Sequence, residues 1–269
     1  MSQSRHRLLS ATTLLSAQNL SKSFGEKVVL HDASFQIPEG SVTCVLGKSG
    51  SGKSVLLRLL VGLLQPDSGN LTYNNAPLNQ SDTLQRFRAE TGYVFQHNAL
   101  LDFLTVAGNV GLPLVAQGSL PPNQHPQRIA QTLAALELET EALRYPSELS
   151  GGMQKRVAVA RALVTNPKLV LFDEPTAGLD PIRRNAVFQQ ILKLRDAHHF
   201  TAVIVTHDVP EALAVADQIL WVDQRTIRFN GHPDAFRSLP DADAAVFRDN
   251  VPFLAASAAN PLTETSRSE

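Results

Sequence analysis

The stretch Gly47-Lys48-Ser49-Gly50-Ser51-Gly52-Lys53-Ser54 decides the fold. Ahead of it, Ser41-Val42-Thr43-Cys44-Val45-Leu46 reads as a buried parallel strand. Behind it, Val55 to Leu64 reads as a helix packed on nearly every side. Strand, glycine turn and helix together are the context a phosphate-binding loop requires. Gly47, Gly50 and Gly52 let the backbone curl until successive N–H groups point at one anion. The helix start adds roughly half a positive charge. Lys53 then reaches β- and γ-phosphates, and the Ser54 hydroxyl ligates Mg²⁺. A flexible Gly/Ser linker would have no need of Lys-Ser after its last glycine.

A second nucleotide-site pattern lies at Leu169-Val170-Leu171-Phe172-Asp173-Glu174. A buried strand delivers Asp173 toward the Mg²⁺ shell, and Glu174 beside it polarises water. Pro175 to Asp180 forms a turn, and Pro181 starts a helix to about Ala197. Thr201 to Val205 is another buried strand, ending in Thr206-His207-Asp208. His207 thus lies at the carboxyl end of a parallel strand, where open α/β sheets bind ligands. His97, His198 and His199 lack such placement and read as surface or packing residues. A patterned helix from Gln154 to Thr165 follows Tyr145-Pro-Ser-Glu-Leu-Ser-Gly-Gly-Met153, with Ser150 as its N-cap. Gly151 and Gly152 expose the first N–H groups, so this start reads either as an ordinary cap or as an anion site.

The totals bound the function classes. The chain has 269 residues, enough for one large domain with a subdomain and tails, and its apolar fraction of 43% supports a substantial core. A net charge of −1 argues against broad electrostatic binding of nucleic acid. Cys44 is the only cysteine, which excludes an internal disulfide and leaves a small buried hydrophobe. Met1 to Ser10 carries basic residues but too brief an apolar stretch for a secretory leader. No window approaches the ~18 consecutive apolar residues of a membrane span. The expectation is a soluble, cytosolic chain that meets a membrane only through partners.

In chain order, residues 1–13 read as a disordered tail. Leu14 to Gln18, Val28 to Leu30 and Phe35 to Ile37 read as antiparallel strands, with Phe24 in the turn at Lys22 to Gly25. Phe24 reads equally as an adenine-stacking ring or a hydrophobic plug. Gln65-Pro-Asp-Ser-Gly69 stops the loop helix; Leu71 to Tyr73 is a strand, Asp82 to Ala89 a helix, and Thr91 to Gln96 a strand ending on Gln96. Residues 97–166 carry helices without obvious strands and read as a helical insertion, with Thr105 to Gln117 broken by Gly108, Gly111 and Pro113. Ile219 to Val222 and Thr226 to Phe229 read as a closing hairpin, and residues 232–269 as weak helices with a disordered end.

Taken in order, these motifs resemble the ATP-binding subunit of ABC transporters from about residue 14 to 231. Phe24 matches the aromatic A-loop, residues 47–54 Walker A, and Gln96 the Q-loop. Leu149-Ser150-Gly151-Gly152-Met153 resembles the signature motif, with Met153 where Gln is usual. Leu169 to Glu174 matches Walker B, Ala177-Gly-Leu-Asp180 the D-loop, and His207 the H-loop. The resemblance implies an α/β fold: a P-loop NTPase core, an antiparallel β subdomain and an inserted α-helical subdomain at about 97–166. It implies head-to-tail pairs of subunits, each ATP lying between one Walker A and the partner's signature. Phe24, Val55, Ser150, Gly151, Gly152 and Asp180 then join residues 47–54 in binding ATP. Mg²⁺ is held by Ser54, Gln96 and Asp173. Glu174 is the general base, His207 holds the γ-phosphate, and Gln96 assists. An integral membrane permease is the implied partner, which places the chain on the cytoplasmic face of the inner membrane.

Shorter strings are similar to the Mla/MCE branch, which moves phospholipid between bacterial membranes with an MCE-domain lipid-binding protein. They are Ser54-Val-Leu-Leu57, Phe95-Gln-His-Asn-Ala-Leu-Leu101, Pro146 to Met153, Asp180-Pro-Ile182 and Thr206-His-Asp-Val-Pro-Glu211. The competing expectations are a motor for another solute, and a soluble ABC protein acting on ribosomes or DNA. The latter class usually carries paired nucleotide units or long coiled-coil insertions, which this chain lacks.

Overall fold

The computed structural model describes residues 12–118 and 120–249. The strands are β1 (Thr13–Phe24), β2 (Lys27–Pro38), β3 (Val42–Leu46), β4 (Ser68–Tyr73), β5 (Ala76–Pro77), β6 (Thr91–Val94), β7 (Leu169–Asp173), β8 (Thr201–Thr206), β9 (Gln218–Asp223) and β10 (Thr226–Gly231). The helices are α1 (Lys53–Leu60), α2 (Ser81–Ala89), α3 (Val106–Gln117), α4 (His125–Ala134), α5 (Gly151–Leu163), α6 (Pro181–His198), α7 (Val209–Val215), α8 (Pro233–Arg237) and α9 (Ala242–Asp249).

The apolar runs become strands buried on both faces. In β3, Val42, Cys44 and Leu46 point into one core, and Val45 into the other. In β7, Val170 and Phe172 join the first core, and Leu169 and Leu171 the second. Side chains alternate along a strand, so only a continuous apolar run satisfies both layers. These strands form a six-stranded sheet in the order β10-β9-β3-β8-β7-β6, parallel apart from the antiparallel β9–β10 hairpin. A four-stranded antiparallel sheet, β2-β1-β4-β5, covers the second core together with α1. The fold is therefore the expected α/β one.

Several boundaries differ from the sequence reading for local reasons. Helix α1 starts at Lys53 and stops at Leu60, because Gly62 turns the chain at φ +68°; Leu63 beyond it is 62% exposed. Its face is not buried all round, since Ser54 and Arg58 are exposed. Strand β6 stops at Val94, two residues short of Gln96, where Asn98 N–H closes a turn on Phe95 O at 3.0 Å. The segment expected to break at Gly108, Gly111 and Pro113 is one continuous helix, α3. Thr105 caps it, its hydroxyl accepting from Gly108 N at 3.1 Å. Gly111 serves close packing instead, since a Cβ there would lie 2.9 Å from Ile129 of α4. Helix α5 begins at Gly151, earlier than expected, and Ser150 caps it through Met153 N–H at 3.3 Å.

The disordered tail expected over residues 1–13 ends sooner, since Thr13 pairs with Pro38 as the first residue of β1; the rest of the expected disorder falls on residues 1–11 and 250–269, outside the described residues. The helices expected after residue 232 are α8 and α9. Phe236 is fully buried there, its ring 5.9 Å from Trp221 and 5.2 Å from Phe229. Arg228 holds the start of α9 by pairing with Asp241 and Asp243 at 2.5 and 2.9 Å. No described helix is long and apolar enough to cross a membrane.

Candidate functional site

Three neighbouring parallel strands deliver the site. Leu46 of β3 pairs with Thr206 of β8, and Val205 of β8 pairs with Asp173 of β7. Their carboxyl ends therefore lie side by side. The glycine loop leaves β3, Asp173-Glu174 ends β7, and His207 follows β8, so one edge of the sheet gathers all three motifs.

The loop's shape depends on two glycines. Gly52 sits at φ +105°, and a Cβ on it would meet the Val29 carbonyl oxygen at 2.8 Å. A Cβ on Gly47 would collide with the Val222 carbonyl oxygen. Both are close backbone approaches that only glycine allows. Lys48, Ser49 and Gly50 form the exposed crest of the loop, and Val55 is half-buried behind it. Lys53 is buried, and its ammonium donates to Gly47 O at 2.8 Å and Lys48 O at 3.2 Å. Burial pulls the Lys53 pKa down, opposed by the charges of Glu174 and Asp173.

The residues fit a nucleotide phosphate and a cation. Ser51 Oγ and Asp173 Oδ1 are buried polar atoms with no partner. Unsatisfied buried groups cost stability unless a ligand completes them. The free helix amides, the Lys53 cation and the exposed Ser54 hydroxyl at the start of α1 are the complementary donors and ligand. The other oxygen of Asp173 accepts from Tyr93 OH at 3.1 Å. Burial raises the Tyr93 pKa, and the Asp173 carboxylate adds to that, so the hydroxyl stays a donor.

Glu174 occupies a left-handed conformation at φ +47°, unusual for a non-glycine residue. Its N–H donates to Val205 O at 2.9 Å, which pins it against β8. Its carboxylate lies 2.7 Å from His207 Nδ1 and 3.9 Å from Lys53 Nζ. Strain of this kind is retained where surrounding structure over-determines a position, and it clusters at active sites. Lys53, Asp173, Glu174 and His207 thus converge as the sequence predicts.

The remaining predicted residues lie elsewhere. Gln96, Ser150, Gly151 and Gly152 border a separate, mostly apolar cleft of about 740 Å³ between α5 and α6. Ser150, Gly151 and Gly152 are exposed, and a Cβ on either glycine would meet nothing within 4 Å. Asp180 caps α6, accepting from Arg183 N–H at 3.1 Å, and is itself exposed. Phe24 ends β1 at 49% exposure with Lys22 Nζ 5.6 Å from its ring centre, so it is no hydrophobic plug. His97 and His199 are exposed and His198 is half-buried, away from the cluster. Sequence reasoning missed Tyr93 and Val29. A tyrosine within a strand reads as core, and a backbone carbonyl carries no side-chain signal.

Residues 30–177 match the family profile described as "ABC transporter". The chain is 42% identical over 202 residues to a sulfate/thiosulfate import ATP-binding protein of Synechocystis, covering 75% of this chain but only 56% of that protein. It is 34% identical over 244 residues to the intermembrane phospholipid transport system ATP-binding protein of Escherichia coli, covering 90% of this chain and 91% of that one. A dimeric ATP-binding cassette in its post-hydrolysis state, bound to ADP and Pi, superposes with a TM-score of 0.72 at 33% identity, over 82% of this chain and 99% of the other.

Proposed function

The chain belongs to the ABC transporter family, whose ATP-binding subunits are ATPases coupled to transport, and from that premise we propose how its own residues bind and hydrolyse ATP. The amides of residues 47–54 cradle the phosphates, and Lys53 pairs with the β- and γ-oxygens. Phe24, whose ring is open to solvent, stacks on adenine. Ser54 and Asp173 would hold Mg²⁺ beside the phosphate loop, with Gln96 joining them from the border of the neighbouring cleft, and the ion would supply charge neutralisation on the phosphate oxygens. Glu174 takes the proton of the attacking water, oriented by His207 at 2.7 Å, and His207 also holds the γ-phosphate.

One observation carries the dimer. Ser150, Gly151 and Gly152 present an exposed helix start that no hydrogen bond or ion pair links to the phosphate loop, among the described residues. An exposed helix start of this kind, set apart from its own chain's phosphate loop among the described residues, fits the partner's γ-phosphate across a head-to-tail pair. ATP then holds the two subunits together, and hydrolysis releases them. Residues 14–231 serve as the nucleotide-binding domain with the helical insertion at about 97–166, and 232–269 as an extension whose first part packs on Trp221. With no membrane-crossing helix described, association with the membrane runs through a permease.

The transported substrate is a finer matter. Likeness to the E. coli phospholipid system runs nearly end to end in both chains, beyond the shared nucleotide motifs. That supports movement of phospholipid with a permease and an MCE-domain lipid-binding protein, at the cytoplasmic face of the inner membrane. The sulfate importer's higher identity, over little more than half its length, supports the alternative of another solute. Tagging the chain, solubilising native membranes gently and identifying its companions separates these. A permease with an MCE-domain protein and bound phospholipid is the expected result. A permease with a different solute-binding protein would discard the lipid branch. Ribosomal or DNA-bound material without a permease would discard transport.

A further inference from the structure

The chemistry above leaves Asp208 unused, although it adjoins His207. Its side chain is 1% exposed. Oδ2 accepts from Thr176 Oγ1 at 2.5 Å, and Oδ1 lies 2.7 Å from Arg184 Nη1. Its own N–H donates to Thr206 Oγ1 at 3.0 Å. A carboxylate this deeply buried persists only with such partners. Arg184 does not stop there: its Nε donates to the Leu179 carbonyl at 2.8 Å, one residue before Asp180.

One buried carboxylate therefore ties three segments together. They are the end of β8 with His207, the turn after β7 with Glu174, and the loop 177–180 leading into α6. That loop has few other anchors. Gly178 stands at φ +74° with open space where a Cβ would be. Ala177 N–H donates to Glu174 O and Leu179 N–H to Thr176 O, both at 3.1 Å, so the loop's own bonds run back toward Glu174. Any displacement of the 177–180 loop is thus passed through Arg184 and Thr176 to Asp208, and through the backbone to Glu174.

We propose that Asp208 and Arg184 are positioning residues that hold the exposed 177–180 loop in register with the Glu174–His207 pair. The proposal rests on the dimer described above, because that loop leads to the exposed Asp180 assigned to the paired site. A subunit seated against the loop would set the geometry of the base, and an unseated one would leave it slack. Neither side chain touches the phosphate loop.

Two variants test this in the full chain. Arg184→Lys keeps a cation beside Asp208 but lacks the planar fork that bridges to Leu179. Asp208→Asn keeps the shape and removes the charge. In the Glu174→Gln background, each is expected to bind ATP within about twofold of the parent, to keep its thermal midpoint within about 3 °C, and to need about tenfold more protein to form the ATP-bound dimer. In the complex purified with its permease, kcat is expected to fall about 10- to 100-fold with KM nearly unchanged. The double variant should be no worse than the poorer single one, because the two side chains act as a unit. Unchanged dimerisation and kcat in Arg184→Lys would overturn the proposal. So would losses of ATP affinity and thermal midpoint in step, which mark a folding role. A parent Glu174→Gln chain that binds no ATP would overturn the ATPase reading itself, and this proposal with it, before any variant is compared.

Discussion

Gly52→Ala probes the shape of the phosphate loop directly. The residue sits at φ +105°, well outside the left-handed well that an alanine tolerates, and the new Cβ would stand 2.8 Å from the Val29 carbonyl oxygen. That oxygen belongs to the backbone of β2 and cannot rotate away. A residue forced into such a region costs on the order of 1–3 kcal/mol, and the close contact places this site at the upper end. If the chain escapes by letting the loop adopt other conformations, the binding-competent one is depopulated by about 2–3 kcal/mol, or about 30- to 150-fold. Titration of the purified chain with a fluorescent ATP analogue should show that loss of affinity. Gly118→Ala is the matched control: it also has positive φ, at +61°, but its Cβ would meet nothing within 4 Å and it lies at the end of α3. It should leave nucleotide affinity unaltered. A Gly52→Ala chain that binds within twofold of the parent would refute the claim that close approach to Val29 shapes the loop.

Ser150→Arg should leave ATP binding to the isolated chain intact and block ATP-dependent pairing, measured by size-exclusion chromatography; loss of binding by the monomer would contradict the composite site. Phe236→Ala should cost about 3–5 kcal/mol in chemical denaturation, because a fully buried ring packed on Trp221 leaves a cavity; a loss below 1 kcal/mol would mean that α8 is not part of the core. Burial holds the Cys44 pKa above its ordinary 9.0, so above that pH the unfolded chain loses a proton that the folded chain keeps. Stability present below pH 9 is then lost as pH rises, by about 1 kcal/mol between pH 9 and 10 from this group alone. Cys44→Ala should remove that share of the alkaline loss in paired denaturation curves, and identical slopes would contradict it.

The strands that carry the site were legible because strands buried on both faces must be apolar throughout, and the turns at their ends carry glycine or charge. That logic found β3, β7 and β8 and so the convergence of Lys53, Asp173, Glu174 and His207. It faltered where a residue type has two uses. Gly111 reads as a helix breaker, yet here it lets α3 approach Ile129 of α4. Strands β1 and β2 run for 12 residues each, longer than expected, because register shifts and left-handed Asn19 and Asp32 let them curl without ending. Pairings between distant residues left no local trace: Thr176 and Asp208 are 32 positions apart, and Tyr93 and Asp173 are 80. Helices α8 and α9 were read as weak because their stability comes from Trp221 and Arg228, outside their own sequence.

We propose above that Glu174 is the base of an ATP site completed by a second subunit. It is tested most directly by following Glu174→Gln with ATP and Mg²⁺ on a calibrated size-exclusion column, alongside phosphate release from the permease complex. A stable ATP-bound dimer is expected, dispersed when ATP is removed, with phosphate release reduced at least about 100-fold from the parent. A variant that stays monomeric with ATP bound, or that releases phosphate at the parental rate, would contradict it.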